Sequence, residues 1–204
     1  MEGIEQVVTV WDRLEAADRA ATLWINSNCS QWSDPFWAFM SGIKVWIPMY
    51  VLVVALLIWR LGWKKGLIAV AAVALCFFCD ERINNLIKTL TERPRPCNDP
   101  GMIAAGLHIL EQGWGWSFPS GHACNSWGFA ISSALCLKMD KRLNWNPYFI
   151  FIVAWASLVG ISRIMVACHF LGDVLAGTTI GVIMGIIWAR IGHKICTHLP
   201  QTNR

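Results

Sequence analysis

Charged residues are scarce in this sequence: Asp, Glu, Lys and Arg make up only 15% of its 204 residues. Soluble globular domains contain about 25% charged residues, so the composition argues against an ordinary soluble protein. Hydrophobic residues make up 55% of the chain and are gathered in blocks, and the 13 tryptophans suit a chain with two membrane interfaces. We therefore expect a protein that crosses a membrane several times.

Two further features are missing. The sequence has no basic tract and no alternation of basic and aromatic residues, so we expect no binding to nucleic acid. Residues 1–18 are acidic and lack the short apolar core of a cleavable signal peptide. We therefore expect the transmembrane segments themselves to direct the chain to the membrane.

The eight cysteines lie mostly within apolar runs, where a cysteine is typically a small buried hydrophobic residue. Cys76 and Cys79 have the CxxC spacing, but no second ligand pair accompanies them, so we interpret them in the same way. Cys29 and Cys97 lie in polar segments that we place on one side of the membrane. A disulfide between these two stays an open alternative, because sequence gives no distance between them.

The N-terminal segment, residues 1–43, is too polar to cross a membrane. Residues 4–19 carry apolar side chains at helical spacing, with charged side chains on the other face. This pattern predicts an amphipathic helix that lies in the membrane interface. Two short apolar patches follow, at residues 23–25 and 36–40, and we predict a further interfacial excursion there.

Residues 44–196 have the pattern of an all-α integral membrane domain. A spanning helix needs about 20 mostly apolar residues, and the sequence offers about five such runs. The second run continues as a helix to Lys88, and a polar, proline-rich segment covers residues 89–117. The predicted spans, packed in one bundle, are residues 45–59, 66–79, 121–137, 148–164 and 171–191, and residues 197–204 form a tail.

Basic residues are concentrated on one side of this predicted bundle, where Asp140 is the only carboxylate. Positively charged loops stay in the cytoplasm, so we place these loops and the tail there. The N-terminal segment, residues 89–117 and the turn around His169 then face the periplasm or the cell exterior. The basic residues on the cytoplasmic side are Arg60, Lys64, Lys65, Lys138, Lys141, Arg142, Arg190, Lys194 and Arg204.

A polar stretch at residues 162–173 separates two apolar runs. Insertion scales put a charged residue at a helix centre at about 2.5–3.5 kcal/mol, so such residues are kept where they pair or do chemistry. His169 and Asp173 are four residues apart and would share one face in the first turn of a helix, with the carboxylate orienting the imidazole. A nucleophile or general base has this arrangement. The alternative is that Arg163 and Asp173 form a structural ion pair, beside a histidine whose hydrogen bonds are satisfied within the fold.

A second motif follows the helix that ends near Lys88. The prolines of Arg93-Pro94-Arg95-Pro96 hold this run extended. We predict that it presents rigid, unpaired guanidinium groups, which suit the oxygens of a phosphate. A basic patch for lipid headgroups explains this motif equally well when it is taken alone.

A third motif, Pro119-Ser120-Gly121-His122, opens the third predicted span. Ser120 is a typical N-cap, and Gly121 adds no bulk where backbone N–H groups are free. A helix N-terminus of this kind binds anions, and His122 would reach the same anion as a proton donor. Taken alone, the motif is explained better by an ordinary capped helix with an interfacial histidine.

The three motifs all fall on the outer side and together indicate a phosphate pocket with a nucleophile and an acid. They read Lys88-x6-Arg95-Pro96, residues 119–122, and Ser162-Arg163-x5-His169-x3-Asp173. In this form they resemble the three-part signature of the type 2 phosphatidic acid phosphatase superfamily. That family includes lipid phosphate phosphatases, glucose-6-phosphatase and vanadium haloperoxidases. Every signature position is matched, over residues 88–173.

The resemblance implies a role for each position. His169 would attack phosphorus and become a phosphohistidine, while Asp173 holds its tautomer. His122 would protonate the leaving oxygen. Neither a metal nor a cofactor is implied, because the cations take the place of Mg²⁺ and the sequence has no carboxylate cluster. The residues implied to hold the phosphate oxygens are Lys88, Arg95, Ser120, Gly121 and Arg163.

The function that follows is a multi-pass phosphatase of the inner membrane, acting on a lipid phosphate or diphosphate at the outer leaflet. Undecaprenyl diphosphate, lipid A phosphate, phosphatidylglycerol phosphate and phosphatidic acid all fit. The lipid substrate is the partner that we expect, and we predict no obligate protein partner. Two alternatives are a vanadate-dependent haloperoxidase, which the spans disfavour, and a non-catalytic protein that binds lipid phosphate. Added vanadate would inhibit a phosphatase and activate a haloperoxidase.

Overall fold

The computed structural model describes residues 9–198, and this part of the chain is all-helical, without strands. Short 3₁₀ turns at Lys44–Trp46 and Pro96–Asn98 join some of the helices. Residues 4–8 of the predicted amphipathic helix, and Arg204 of the tail, lie outside the described residues. The helices are α1 (Val10–Asn26), α2 (Asp34–Ser41), α3 (Ile47–Leu61), α4 (Trp63–Thr91), α5 (Pro100–Ala104), α6 (Gly121–Leu137), α7 (Asn146–Met165) and α8 (Leu171–Thr197).

Three helical segments in the described range are long and apolar enough to cross a membrane: Lys44–Leu61, Asn146–Met165 and Leu171–Thr197. The prediction of five spans is therefore confirmed only in part. The helix α6 has 17 residues, and the apolar part of α4 is flanked by charged residues at 64–65 and 80–82. Both helices nevertheless occupy the predicted positions, and α6 has the predicted bounds.

The bundle is built around α6, which packs against α3, α4, α7 and α8. The closest approach is to α8, where glycines replace side chains. A Cβ atom at Gly177 would overlap the carbonyl of Ser120, and one at Gly181 would overlap the carbonyl of Cys124. On the other side of α6, the rings of Tyr50, Phe129 and Trp155 pack edge to face. This core fixes where the N-terminus of α6 lies.

The helix α1 is shifted relative to the predicted helix at residues 4–19, since it begins at Val10, after its N-cap Thr9, and continues to Asn26. The face that it buries is polar rather than apolar. Thr22 accepts a hydrogen bond from the backbone N–H of Leu171 at 3.0 Å, and Asn26 donates to the carbonyls of Ile164 and Met165. These bonds satisfy backbone groups at the turn between α7 and α8. The helix therefore docks on this turn, while Trp11 and Trp24 stay exposed.

Candidate active site

A cavity of about 400 Å³ opens at the end of the bundle where α4 and α7 end and α6 begins. Its wall contains most of the site residues that the sequence predicts, although they come from distant parts of the chain. Ser120 and Asp173 are fully buried just behind this wall. The predicted site residues in the wall are Lys88, Arg95, Gly121, His122, Arg163 and His169.

His169 lies before α8 rather than in its first turn, which corrects the prediction from the four-residue spacing. The helix begins at Leu171, and Phe170 is its extended N-cap residue. Nδ1 of His169 is nevertheless 3.5 Å from Oδ2 of Asp173, because the extended residue turns the histidine back over the helix start. The same carboxylate accepts hydrogen bonds from the Phe170 N–H at 2.8 Å and from the Ser117 hydroxyl.

The other ring nitrogen of His169 faces a cation. Nε2 lies 3.1 Å from Nη1 of Arg95. A guanidinium group can only donate hydrogen bonds, so Nε2 must be the acceptor and the ring proton must lie on Nδ1, toward Asp173. Burial lowers the pKa of His169 to about 4, although the hydrogen bond with Asp173 opposes this shift. The imidazole is therefore neutral at pH 7, with a lone pair on Nε2.

Arg93 was predicted to present an unpaired cation, and this prediction is wrong. Nη1 donates to Oδ1 of Asp173 at 2.6 Å, and Nη2 donates to Oδ2 of Asp18 on α1 at 2.7 Å. The guanidinium also lies 4.0 Å from the ring centroid of Phe170. Burial by itself would lower the pKa of Arg93, but the two carboxylates raise it above its usual range.

Arg95 is buried and held by main-chain carbonyls rather than by carboxylates. Nε donates to Trp114 O at 2.9 Å, and Nη1 donates to Cys168 O at 3.0 Å. A Cβ atom at Gly113 would lie 3.0 Å from its Nε atom, so this glycine makes room for the side chain. The guanidinium is thus fixed next to His169 with no carboxylate partner among the described residues, and burial lowers its pKa from the ordinary value.

The N-terminus of α6 forms the opposite wall of the cavity. Ser120 is the N-cap, as predicted, and its hydroxyl accepts from the Ala123 N–H at 3.4 Å. Its own N–H donates to the carbonyl of Asp173 at 2.9 Å, which ties α6 to α8. Lys88 projects from the last turn of α4, with Nζ 3.9 Å from the position that a Cβ atom of Gly121 would take. The ammonium group of Lys88 and the N-terminus of α6 therefore face the same cavity.

Arg163 is buried on the remaining side, where it pairs with Glu111 rather than with Asp173. Nη1 lies 3.2 Å from Oε2 of Glu111 and also donates to the Ser41 hydroxyl. The structural alternative of an Arg163–Asp173 pair is therefore wrong, because Asp173 takes Arg93 instead.

The sequence of the chain matches a known family. The model of the PAP2 superfamily matches residues 63–195, and the chain is 34% identical over 191 residues to the lipid A 4'-phosphatase of Bacteroides thetaiotaomicron. That alignment covers 92% of this chain and 82% of the relative. The protein belongs to the PAP2 superfamily.

The chain is also similar to other PAP2 proteins. Phosphatidylglycerophosphatase B of Bacillus subtilis is 29% identical, over 73% of this chain and 68% of the relative. The crystal structure of a transmembrane PAP2-type phosphatidylglycerolphosphate phosphatase from Bacillus subtilis superposes with a TM-score of 0.74 at 24% identity, covering 90% of this chain and 88% of that one. Aquifex aeolicus LpxE gives 0.63 at 24% identity, with 84% and 93% covered. These two structures share the fold.

Sequence reasoning missed several polar residues of this PAP2 site. Asp18, Ser41 and Ser117 lie outside the three motifs, and nothing in their local sequence marks them. Glu111, which pairs with Arg163, also lies outside the motifs, within the polar segment 89–117. The thiols of Cys29 and Cys97 are both free, and Cys29 donates to Met165 O at 3.2 Å instead of forming the disulfide left open above.

Proposed function

We propose that the protein is an integral membrane phosphatase that removes phosphate from a lipid through a phosphohistidine on His169. The observation that carries this proposal is the position of His169: Nδ1 faces Asp173 and Nε2 opens toward Arg95 inside one cavity. A neutral imidazole with its proton on the carboxylate side has its nucleophilic lone pair on the cavity side. Its lowered pKa keeps Nε2 unprotonated at pH 7, and the hydrogen bond from Arg95 would pass to a phosphate oxygen when the lone pair attacks.

The cationic end of the cavity suits the phosphate group. Lys88, Arg95 and Arg163 approach it from different sides and would hold the equatorial oxygens as charge redistributes in the transition state. Free N–H groups at residues 121–122 would add hydrogen bonds from the α6 N-terminus. We expect these cations to take the place of Mg²⁺ in holding the phosphate oxygens.

The other end of the cavity is apolar and aromatic, with Trp46, Tyr50, Phe77 and Trp155 in its wall. A lipid phosphate has this same division between a charged group and an apolar body. We therefore infer that the headgroup enters the cavity while the acyl or prenyl chains stay in the bilayer beside α3 and α4. A small water-soluble phosphate ester would contact only the cationic end of the cavity and would leave the aromatic end unused.

The reaction would proceed in two steps. Nε2 of His169 attacks phosphorus while the P–O bond to the lipid breaks, and His122 gives a proton to the leaving oxygen. Asp173 stabilises the positive charge that the phosphohistidine carries. Water, giving a proton to His122, then attacks phosphorus; the P–N bond breaks, Nε2 of His169 regains its lone pair, and inorganic phosphate leaves.

The membrane arrangement is part of the proposal. We infer that α4 and α6 span together with the three more apolar helices, giving five spans. The cluster at the far end of the bundle, where Asp140 pairs with Arg60 at 2.8 Å and Arg142 at 2.9 Å, would face the cytoplasm. The active site then faces the periplasm, at the outer leaflet of the inner membrane. Residues 44–196 would form the catalytic domain, with residues 1–43 as an N-terminal segment and 197–204 as a cytoplasmic tail.

Lipid A is the substrate class that we favour, because the relative with 34% identity is named for its 4'-phosphatase activity. The test is phosphate release by the purified protein from lipid A, phosphatidylglycerol phosphate, phosphatidic acid and undecaprenyl diphosphate. We expect lipid A to be hydrolysed fastest. His169→Ala should lose all turnover while His193→Ala, at the far end of the bundle, keeps it. Retained turnover in His169→Ala would contradict the nucleophile assignment.

A further inference from the structure

Two side chains from distant segments hold the guanidinium of Arg163. Its Nη1 atom lies 3.2 Å from Oε2 of Glu111 and donates to the Ser41 hydroxyl. The Ser41 hydroxyl donates in turn to Oε1 of Glu111 at 2.8 Å. The three groups form a closed ring of hydrogen bonds that joins α2, the segment before α6, and α7. Nη1 of Arg163 donates two of the three hydrogen bonds in this ring, and the Ser41 hydroxyl donates the third.

This ring leaves part of Arg163 for another ligand. Ser41 and Arg163 line the cavity, whereas Glu111 stands behind them. The peptide N–H of Glu111 donates to Val166 O at 3.2 Å, which fixes its backbone to the turn after α7. Within residues 9–198, Nη2 of Arg163 takes part in no hydrogen bond. Glu111 therefore holds the Nη1 end of the guanidinium, and Nη2 is free for a phosphate oxygen, while Nε is buried without a hydrogen-bond partner.

Glu111 also changes the charge that a phosphate meets. The wall of the cavity carries three cations, Lys88, Arg95 and Arg163, and one carboxylate, Glu81. Asp173 is balanced from behind by Arg93. With Glu111 beside Arg163, the pocket keeps about one net positive charge. A phosphomonoester brings about −1.5 to −2 at pH 7, and a terminal diphosphate brings roughly one more negative charge.

We propose that Glu111 is a specificity-determining residue, which limits the positive charge at Arg163 so that the pocket favours a single phosphate group over a diphosphate. This inference rests on the proposed phosphatase function and names its substrate class more closely. The same carboxylate weakens the hold on inorganic phosphate and so helps the product to leave. It does not touch the phosphorus, and its effect passes through Arg163.

The decisive variant is Glu111→Gln, which removes the charge but keeps an oxygen that can accept from Ser41. Farnesyl phosphate and farnesyl diphosphate serve as probes, because they share one tail and differ only in the headgroup. We expect the variant to raise kcat/KM for the diphosphate relative to the monophosphate by about fivefold to tenfold. The inhibition constant for inorganic phosphate should fall by a similar factor.

The matched control is Glu92→Gln, which removes an exposed carboxylate at the same end of the molecule. It should leave both the substrate ratio and the inhibition by phosphate unchanged. A purely structural role for Glu111 would lower activity toward both substrates together and would weaken phosphate binding rather than tighten it. Tighter binding of phosphate therefore separates the two roles.

The wild-type protein supplies a test that needs no variant, since it should prefer farnesyl phosphate to farnesyl diphosphate. A preference for the diphosphate would overturn the proposal, and so would an unchanged ratio and inhibition constant in Glu111→Gln. A wild-type protein that hydrolyses neither probe and none of the four lipids would overturn the proposed phosphatase function instead.

Discussion

Arg93 and Asp173 are joined by a hydrogen bond of 2.6 Å, so the carboxylate beside His169 is neutralised from the side opposite the cavity. Asp173 is fully buried. A buried carboxylate without a partner destabilises the folded state. Removing one member of a buried ion pair lowers the free energy of unfolding by about 3–5 kcal/mol. The pair therefore allows Asp173 to stay ionised in an apolar bundle and to hold the imidazole.

This pair gives a first prediction. Arg93→Gln should lower the free energy of unfolding by about 3 kcal/mol and should lower kcat more than it changes KM, because Arg93 acts through Asp173. Arg93→Lys should recover part of both losses. The measurements are thermal unfolding and steady-state kinetics with a lipid phosphate. Arg82→Gln, at an exposed arginine on α4, should behave like the wild type.

A second prediction concerns stability and pH. Burial lowers the pKa of His169 to about 4 from the ordinary value of 6.5. Between these two values the unfolded chain binds more protons than the folded one, so the free energy of unfolding falls as the pH drops from 6.5 toward 4. Above pH 6.5 this contribution is fully present, and over the whole window it amounts to about 3 kcal/mol.

The check is thermal unfolding at pH 7.5 and at pH 4.5. The wild-type protein should lose more stability across this interval than His169→Gln, which has no imidazole to protonate. His193→Gln should follow the wild type. Equal losses in the wild type and in His169→Gln would mean that another group causes the acid sensitivity.

A third prediction tests His122 as the acid. General acid catalysis is typically worth about 10²–10⁴-fold, and it matters most when the leaving group is a poor one. His122→Ala should therefore lose this factor with an alkyl phosphate, whose leaving alkoxide needs a proton. With p-nitrophenyl phosphate the loss should be much smaller. An equal loss for both substrates would indicate that His122 only binds the phosphate.

A fourth prediction follows from the close packing of α6 on α8. A Cβ atom at Gly181 would overlap the carbonyl of Cys124, so Gly181→Ala must push the two helices apart. Overpacking of this kind costs about 1–3 kcal/mol, and thermal unfolding should show it. Thr179→Ala, at an exposed position of the same helix, is the control and should unfold like the wild type.

Much of the site could be predicted from sequence because its chemistry lies in short motifs at helix ends. Ser120 caps α6 as expected, and Lys88, Arg95, His122, Arg163 and His169 share one cavity. What could not be predicted is which charges neutralise one another. Arg93 finds Asp18 only because α1 docks on the turn between α7 and α8, and this docking depends on hydrogen bonds between side chains and backbone that leave no periodic pattern.

The fold was predicted with a similar limit. The bounds of α6 follow from a strong N-cap and an apolar run, whereas α1 continues past residue 19 because its polar residues Thr22 and Asn26 are used as buried hydrogen-bond partners. From sequence alone, polar residues such as Thr22 and Asn26 are predicted to face solvent. The charged residues within α4 limit the prediction of spans in the same way, since Asp80 is fully buried and Glu81 lines the cavity.

The size of the cavity has a practical consequence for inhibitor chemistry. A volume of about 400 Å³ accommodates the terminal group of a large amphiphile and little else, so the enzyme senses the end of its substrate rather than the whole of it. We therefore expect a compact phosphonate with one aromatic ring, and no lipid tail, to fill the pocket and compete with the substrate.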